Sequence, residues 1–319
     1  MESVKILITG ISGFIGSNLA RHFLNGNYEI YGLTRSQISN WRLVGIKDQI
    51  AIRKGDITNY DELYDLIKAI KPDGIIHCSQ YGAYLTEVDL KDIYRINLTG
   101  AFNLVNAASQ LSTGWLINAG SSFEYGNASG KLSETDSCQP ASQYGVFKFL
   151  SSSLISLFPS ISRIKTITLR IFQAYGPYEA RERLAPYVLY NLLKNNPITL
   201  KNPHIKRDFV FTEDISSAFE KSIKVIDSVD HNETFNIGTG RSTSIIDFVR
   251  IGSSVTGSRS KVGYDVHSEK PEDNFSGFEA DITKAHRILG WSPKYDVRDG
   301  LGSYAKWMKS QLEFYTTQG

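Results

Sequence analysis

Val4-Lys5-Ile6-Leu7-Ile8-Thr9-Gly10-Ile11-Ser12-Gly13-Phe14-Ile15-Gly16 decides the fold. Val4, Ile6, Leu7 and Ile8 form a short apolar run suited to a strand buried inside a parallel sheet. Thr9-Gly10 ends the run, and Gly10, Gly13 and Gly16 turn the chain into a helix. That helix carries Leu19, Ala20, Phe23 and Leu24 and stops at Asn25-Gly26, a C-terminal signal. A strand, a glycine turn and a helix N-terminus together set backbone N–H groups around an incoming phosphate. In such a turn Gly10 allows the tight bend, Gly13 lets a pyrophosphate approach the backbone, and Gly16 lets helix and strand pack closely. Ser12, Phe14 and Ile15 are expected at the same ligand. The spacing alone is a weak signal; its position directly after the first strand gives it weight. The alternative is a glycine-rich turn with no ligand.

Composition narrows the class. The chain has 319 residues, enough for one large α/β domain or a domain with a smaller lobe. Hydrophobic residues at 41% and charged residues at 21% fit an ordinary soluble globular protein. A formal net charge of +2 gives no reason to expect nucleic acid or a membrane surface as partner. No stretch is long and apolar enough to span a bilayer. The first strand begins at Val4, which leaves no room for a signal peptide. Cys78 and Cys138 are the only cysteines, and a reducing cytoplasm is the expected compartment. There is no internal repeat or low-complexity tract, and no metal site is expected.

Along the chain, Glu29 to Leu33 reads as the second strand, ending in Thr34-Arg35-Ser36. A carboxylate near this point accepts from the ribose 2′-hydroxyl in NAD-binding folds. Here a guanidinium stands between two hydroxyls, which suits a 2′-phosphate; the alternative is a solvated loop arginine. Gln49 to Lys54 reads as a third strand, followed by Gly55-Asp56-Ile57. Asp56 either faces an adenine or starts the helix Asp61 to Ile70. Gly74 to Cys78 reads as a fourth buried strand. A long helical pattern then carries Ile93, Ile96, Leu104, Val105 and Ala108, with Asn97 inside it. A mid-helix Asn is either exposed and idle, or breaks the ladder to hold a water. Trp115 to Ala119 is the fifth strand and delivers Gly120-Ser121-Ser122-Phe123-Glu124-Tyr125-Gly126 to its C-terminal end. A helix opens near Tyr144 and carries Lys148 one turn on, so ammonium and phenol share a helix face. That pairing makes Tyr144 a usable proton donor and acceptor near neutral pH. Tyr64/Lys68 and Tyr190/Lys194 repeat the spacing. Only the Tyr144 copy follows the fifth strand and its serine-rich turn.

Gly10-x-x-Gly13-x-x-Gly16, Ser121 and Tyr144-x-x-x-Lys148 resemble the extended short-chain dehydrogenase/reductase family, and more narrowly its nucleotide-sugar epimerases, dehydratases and reductases. Asn97-Leu98-Thr99-Gly100 resembles that family's Asn-x-x-Gly segment. Arg170-Ile171-Phe172-Gln173-Ala174-Tyr175-Gly176-Pro177 resembles its Arg-x-x-Asn-x-Tyr-Gly-Pro segment. Arg207-Asp208-Phe209-Val210 resembles the segment that reaches the substrate diphosphate. Ala280 to Ala285 and Leu289 to Pro293 resemble the closing segment. Some positions depart from the pattern. Gln173 stands for the usual Asn, and Lys270-Pro271-Glu272-Asp273 stands for Arg-Pro-Gly-Asp, so Lys270 would meet a phosphate as a point charge. Ser122 and Phe123 stand where sugar-nucleotide 4,6-dehydratases carry an Asp-Glu pair, which argues against dehydration. Phe123 also replaces the cysteine of 3,5-epimerising relatives.

The resemblance implies a doubly wound parallel sheet of the Rossmann type with a smaller C-terminal substrate-binding lobe. Residues 1–169 would form the dinucleotide-binding domain, and 170–319 mainly the substrate lobe, with segments returning to the main domain. Arg183 to Asn195 reads as a lobe helix, and Asp214 to Val229 as one that packs back on the sheet. The expected activity is NADP-dependent reduction of a nucleotide-activated 4-keto-6-deoxy hexose, with NAD possible as cofactor. Ser121, Tyr144 and Lys148 would be catalytic. Gly10, Ser12, Gly13, Phe14, Ile15, Gly16, Thr34, Arg35, Ser36, Asp56, Ile57 and Asn97 would bind the cofactor with Tyr144 and Lys148. Ser122, Phe123, Gln173, Arg207 and Lys270 would bind the substrate, with specificity set by side chains such as Tyr81, Tyr84, Phe172 and Tyr178. The alternatives are an NAD(P)-dependent epimerase and a dinucleotide-binding sensor without turnover. A homodimer is expected, because relatives are commonly dimers through two helices on each side.

Overall fold

Alternate residues of the first strand, β1 (Val4–Thr9), enter two different cores: Ile6 and Ile8 one, Leu7 the other. A strand with both faces buried is the centre of a sheet covered on both sides. The computed structural model describes residues 3–35, 41–82, 89–264 and 277–312. Along the chain, β1 is followed by β2 (Tyr28–Thr34), β3 (Ala51–Lys54), β4 (Gly74–His77), β5 (Trp115–Ser121), the short β6 (Gly130–Leu132) and β7 (Lys165–Ile171). Then come β8 (Gln173–Tyr175), β9 (Ile198–Leu200), β10 (Lys206–Arg207), β11 (Phe209–Phe211), β12 (Asn232–Ile237), β13 (Thr243–Ser244), β14 (Val262–Tyr264) and β15 (Phe278–Ala280). Seven of them form one sheet in the order β12-β7-β5-β4-β1-β2-β3, with every pairing parallel. Strand order reverses on either side of β1, which makes its C-terminal end the topological switch point.

Helices cover both faces. α1 (Phe14–Phe23) and α7 (Thr212–Val225) bury Leu19, Phe23, Ile215 and Phe219 against Ile6, Ile8, Ile76 and Ile117. On the other face lie α2 (Tyr60–Ile70), α4 (Gly100–Gln110) and α5 (Gln143–Leu157), which bury Leu63, Leu104 and Ile155 against Leu7, Ile75 and Leu116. A short helix, α3 (Leu90–Tyr94), leads into α4 through a π turn at Arg95–Thr99. Each such aliphatic side chain contributes roughly 1.5–3 kcal/mol by leaving water. The lobe is built by α6 (Leu184–Lys194), α8 (Ile245–Thr256) and α9 (Val297–Ser310) around Tyr175, Phe209 and Phe248. Phe209 and Phe248 stack at 4.3 Å. The closing segment is pinned to α7: Trp291 Nε1 donates to the Asp214 carbonyl at 3.0 Å, and the Asp214 carboxylate accepts from Lys294 N and Tyr295 N. No described helix is long and apolar enough to cross a membrane.

Several local expectations change. Residues Lys47–Gln49 form a 3₁₀ turn, so the third strand starts at Ala51 and not at Gln49. The N-cap of α2 is Asn59, whose side chain accepts from Glu62 N; Asp56 instead accepts from Thr58 N at 2.9 Å, closing the turn before it. Asn97 is buried in the π turn, where the regular helical ladder is broken, and is not idle. Its amide accepts from Tyr81 N at 2.8 Å and donates to Tyr81 O at 2.7 Å, which ties the segment after β4 to the helix. The chain division expected near residue 169 falls inside β7. Ser36, Tyr84 and Lys270 lie outside the described residues.

Gly16 tests the packing at the turn. A Cβ there would stand 2.3 Å from the Gly10 carbonyl oxygen and 2.8 Å from Ile11 Cα, both backbone atoms that cannot swing aside. Gly16→Ala is expected to cost about 1–3 kcal/mol in urea unfolding. Gly302→Ala, on α9 with open space around the new methyl, is expected to stabilise by about 0.5–1 kcal/mol. Equal effects from the two would remove the close-approach explanation for Gly16.

Candidate active site

The C-terminal ends of β1, β2, β4 and β5 lie on one edge of the sheet and open on a cavity of about 520 Å³. Gly10, Ser12, Gly13, Phe14, Ile15 and Gly16 form part of its wall. Gly10 has φ +69°, and a Cβ on it would meet Cys78 and Ser79 backbone atoms at 2.7–2.8 Å, so only glycine brings this turn against the end of β4. Gly13 is the N-cap of α1, and no side chain caps that end. The first-turn amides are therefore left to the cavity. At the end of β2, buried Thr34 and exposed Arg35 line the same space. Arg42, Glu179 and Arg183 line it too, although sequence reading did not single them out. They reach it because the segment after β8 folds back. Asn18 donates to the Pro177 carbonyl and Arg42 Nε to the Tyr178 carbonyl, at 2.9 and 2.8 Å. Burial pushes the Glu179 carboxyl up to about 8, against the pull of the Arg183 and Arg42 guanidiniums. Ile57 and Ile96 are at the wall; their neighbours Asp56 and Asn97 are not, because Thr58 and Tyr81 engage those side chains.

The end of β5 is built with equal economy of space. Ser121 Oγ accepts from Phe123 N at 3.2 Å, while the Glu124 carboxylate accepts from Ser121 N at 2.9 Å, a reciprocal cap on the turn Ser122–Tyr125. Glu124 is fully buried and also accepts from Ser152 Oγ and Arg170 Nε, at 3.0 and 3.1 Å. Burial raises its carboxyl above the usual range, and the Arg170 guanidinium opposes that rise. The first turn of α5 docks on this loop through Gly145, where a Cβ would stand 2.5 Å from the Phe123 carbonyl oxygen. Tyr144 and Lys148 consequently face the cavity. Lys148 Nζ donates to the Ala119 carbonyl at 2.7 Å, and Tyr144 OH donates to Gln80 Oε1 at 3.2 Å. The other two Tyr/Lys pairs are not among the lining residues. Tyr64 packs on Tyr60, and Tyr190 lies under the Arg181 guanidinium. His77 shares a 2.8 Å contact with Thr9 Oγ1 and is driven down to about 3 by burial and by Lys148, so it stays neutral. Burial pushes the Cys78 thiol up to about 12, which keeps it from acting as a nucleophile at neutral pH.

A smaller recess adjoins the cavity beside Phe123, and Gln173 lines both. Ser122 and Arg207 border the recess only. Arg207 donates to the Lys206 carbonyl at 2.9 Å. The neighbouring Asp208 accepts from Thr239 N, Gly240 N and Ala280 N, and so anchors the loop behind the recess.

The fold that carries this cavity is shared with known proteins. The structure superposes on MoeE5 in complex with UDP-glucose and NAD with a TM-score of 0.84, at 25% identity over 97% of this chain and 99% of that one. It superposes on the Thermotoga maritima UDP-glucose 4-epimerase, solved with UDP-glucose, with a TM-score of 0.88 at 21% identity, covering 97% and 100%. In sequence, the chain is 25% identical to the UDP-glucose 4-epimerase of Lactobacillus helveticus over 333 residues, covering 98% of this chain and 99% of that one. The family model of the NAD dependent epimerase/dehydratase family matches residues 6–238, from β1 through the last strand of the main sheet, and the chain belongs to that family of enzymes.

Proposed function

We propose that this enzyme is an NADP-dependent oxidoreductase that reduces a nucleotide-activated 4-keto-6-deoxy hexose. The observation that carries the reading is the convergence of Ser121, Tyr144 and Lys148 on the cavity that the glycine turn also lines. The fit to a dinucleotide is steric as well as chemical: Gly10 and Gly13 leave the turn bare of side chains, and the uncapped N-terminus of α1 suits a pyrophosphate. The nicotinamide cofactor, when bound, supplies the hydride. Tyr144 then gives its phenolic proton to the developing alkoxide. The Ser121 oxygen already accepts from Phe123 N–H, so its own proton is available to the same alkoxide. Lys148 spends one N–H on the Ala119 carbonyl and keeps its others for the cofactor ribose. Arg207 and Gln173 suit the substrate diphosphate, and Ser122 suits a sugar hydroxyl.

Choice of cofactor rests on charge. Arg35, Arg42 and Arg183 line the cavity with Glu179 as the buried carboxyl among them, a balance that favours the dianionic 2′-phosphate. A reductase exchanges a reduced cofactor at every turnover, and cells hold NADPH mostly reduced. The epimerase reading has its own support in relatives named as epimerases, since the same trio serves oxidation and re-reduction. An intact trio in a family of enzymes leaves the sensor reading without support. We further propose a cytoplasmic homodimer. Phe102 on α4 and Val146, Leu150 and Leu157 on α5 are exposed on adjacent helices, which suits a second copy of the chain.

Three outcomes follow from these assignments. Tyr144→Phe keeps the ring and removes the proton, so turnover is expected to fall by about 10²-fold or more while cofactor binding is retained; near-normal turnover would reject Tyr144 as donor. NADPH is expected to bind better than NADH by about tenfold or more, and Arg35→Asp to reverse the order. Titration of nicotinamide fluorescence with both cofactors checks this; protein that purifies with tightly held NAD and interconverts two sugar nucleotides without added cofactor would favour the epimerase. Leu150→Glu with Leu157→Glu is expected to give a monomer by light scattering after size exclusion, and a doubly substituted chain that still elutes as the wild type would move the interface elsewhere.

A further inference from the structure

The Tyr144 phenol is held at two places. Its ring meets Phe123 edge to face at 5.8 Å, and its OH donates to Gln80 Oε1 at 3.2 Å. Gln80 follows β4 and lines the main cavity with an exposed side chain. The backbone on either side of it is fixed. Ser79 N donates to Thr9 Oγ1 at 3.4 Å. Tyr81 gives its N–H to the Asn97 amide and takes an Asn97 N–H on its carbonyl, at 2.8 and 2.7 Å. Thr9 and Asn97 are both buried. These contacts reach main-chain atoms, so the support of Gln80 does not depend on its own side chain. The carboxamide it presents carries an acceptor oxygen and a donor nitrogen on one carbon. Half a turn about Cγ–Cδ exchanges the two in place.

We infer that Gln80 is a positioning residue for the proton of Tyr144, and that its amide serves both states of the phenol. This role rests on the reading that Tyr144 carries the proton, and it applies to reduction and epimerisation alike. At rest the phenol donates to Oε1. With a keto sugar in place the proton turns to the C4 oxygen. As hydride adds to C4, the proton passes to that oxygen and the O–H electron pair stays on Tyr144 Oη. Solvent later returns a proton to the phenoxide. Oε1 would repel that phenoxide, whereas Nε2–H donates to it. A hydrogen bond to an ionised oxygen is about twice as strong as one to a neutral oxygen. The contact therefore tightens as charge develops, and only such a contact lowers the barrier. Lys148 does not duplicate it, since one of its N–H groups is spent on the Ala119 carbonyl and the cofactor ribose takes others.

The test is steady-state turnover of the full chain. It is read as NADPH oxidation with dTDP-4-keto-6-deoxyglucose, and as conversion of UDP-glucose to its 4-epimer with NAD. Gln80→Met keeps the length and removes both hydrogen-bonding groups. Gln80→Glu keeps the shape and the acceptor, but sets a negative charge against the phenoxide. The kcat is expected to fall by about tenfold or more in Gln80→Met and further in Gln80→Glu. KM for the sugar nucleotide, and cofactor affinity by nicotinamide fluorescence, are expected to stay within about twofold. Both variants are expected to show a larger solvent deuterium isotope effect on kcat than the wild type. A purely structural or accepting role predicts the opposite order, because Glu is closest in shape and still accepts. Gln80→Glu less impaired than Gln80→Met, unchanged kcat in both, or losses confined to KM would overturn the assignment. Tyr144→Phe separates the two claims. Near-normal turnover in it would remove the proton reading. Loss of turnover there, with both Gln80 variants intact, would remove Gln80 alone. A wild-type chain inactive in both assays would take away the proton reading and the role of Gln80 together.

Discussion

The buried Glu124–Arg170 pair is the interaction on which the cavity-lining end of the sheet depends. Its Nε to Oε2 distance is 3.1 Å, and it joins the turn after β5 to β7. The same carboxylate holds Ser121 N on one strand end and Ser152 on α5, while Arg170 also donates to Tyr125 OH at 3.0 Å. Tyr125 in turn reaches Asn236 on β12 at 2.7 Å. One ion pair thus fixes three strands and one helix relative to each other. A buried carboxylate without its partner costs several kcal/mol, so the pair is a constraint more than a source of net stability. Its consequence is geometric: the backbone that carries Ser121 cannot shift without moving the helix that carries Tyr144 and Lys148.

A second constraint lies in the glycines, which act by what they leave out. Gly10 allows the turn to press on the end of β4, Gly16 allows α1 to press on the turn, and Gly145 allows α5 to press on the carbonyl of Phe123. Each close approach brings backbone to a position that any side chain would occupy. The cavity has its shape because three secondary-structure ends meet it at sub-side-chain distance.

Much of this was legible in the sequence where signal and structure are local. The β1 run, the glycine turn, the position of Ser121 and the one-turn spacing of Tyr144 and Lys148 are all short-range patterns, and the cavity brings them together. Other features depend on contacts that no periodic pattern records. For Asn97 the sequence leaves open an idle residue or a break in the ladder; the ladder breaks in the π turn, and the amide meets Tyr81, sixteen residues away, a partner no local pattern names. For Asp56 the sequence offers an adenine contact or a helix start, and one of its carboxylate oxygens closes the turn before α2 on Thr58 N. Arg42, Glu179 and Arg183 were missed because the segment after β8 returns to β2, and no periodicity records a return of more than a hundred residues. Gln80 was missed for a similar reason: it follows β4, and only the packing of α5 brings Tyr144 to it.

The order of strands also governs how the chain reaches its folded state. β7 pairs with β12 in register from Thr166 to Ile171, yet the strands β8 to β11 and the helices α6 and α7 intervene. Until Ile237 has been synthesised, β7 presents an open edge of unpaired backbone. Parallel pairing across so long a connection is slow to form, and an unpaired edge invites association with other chains. Nascent chains ending between Ile171 and Ile237 are therefore the ones most in need of protection, and the arrival of β12 closes that window.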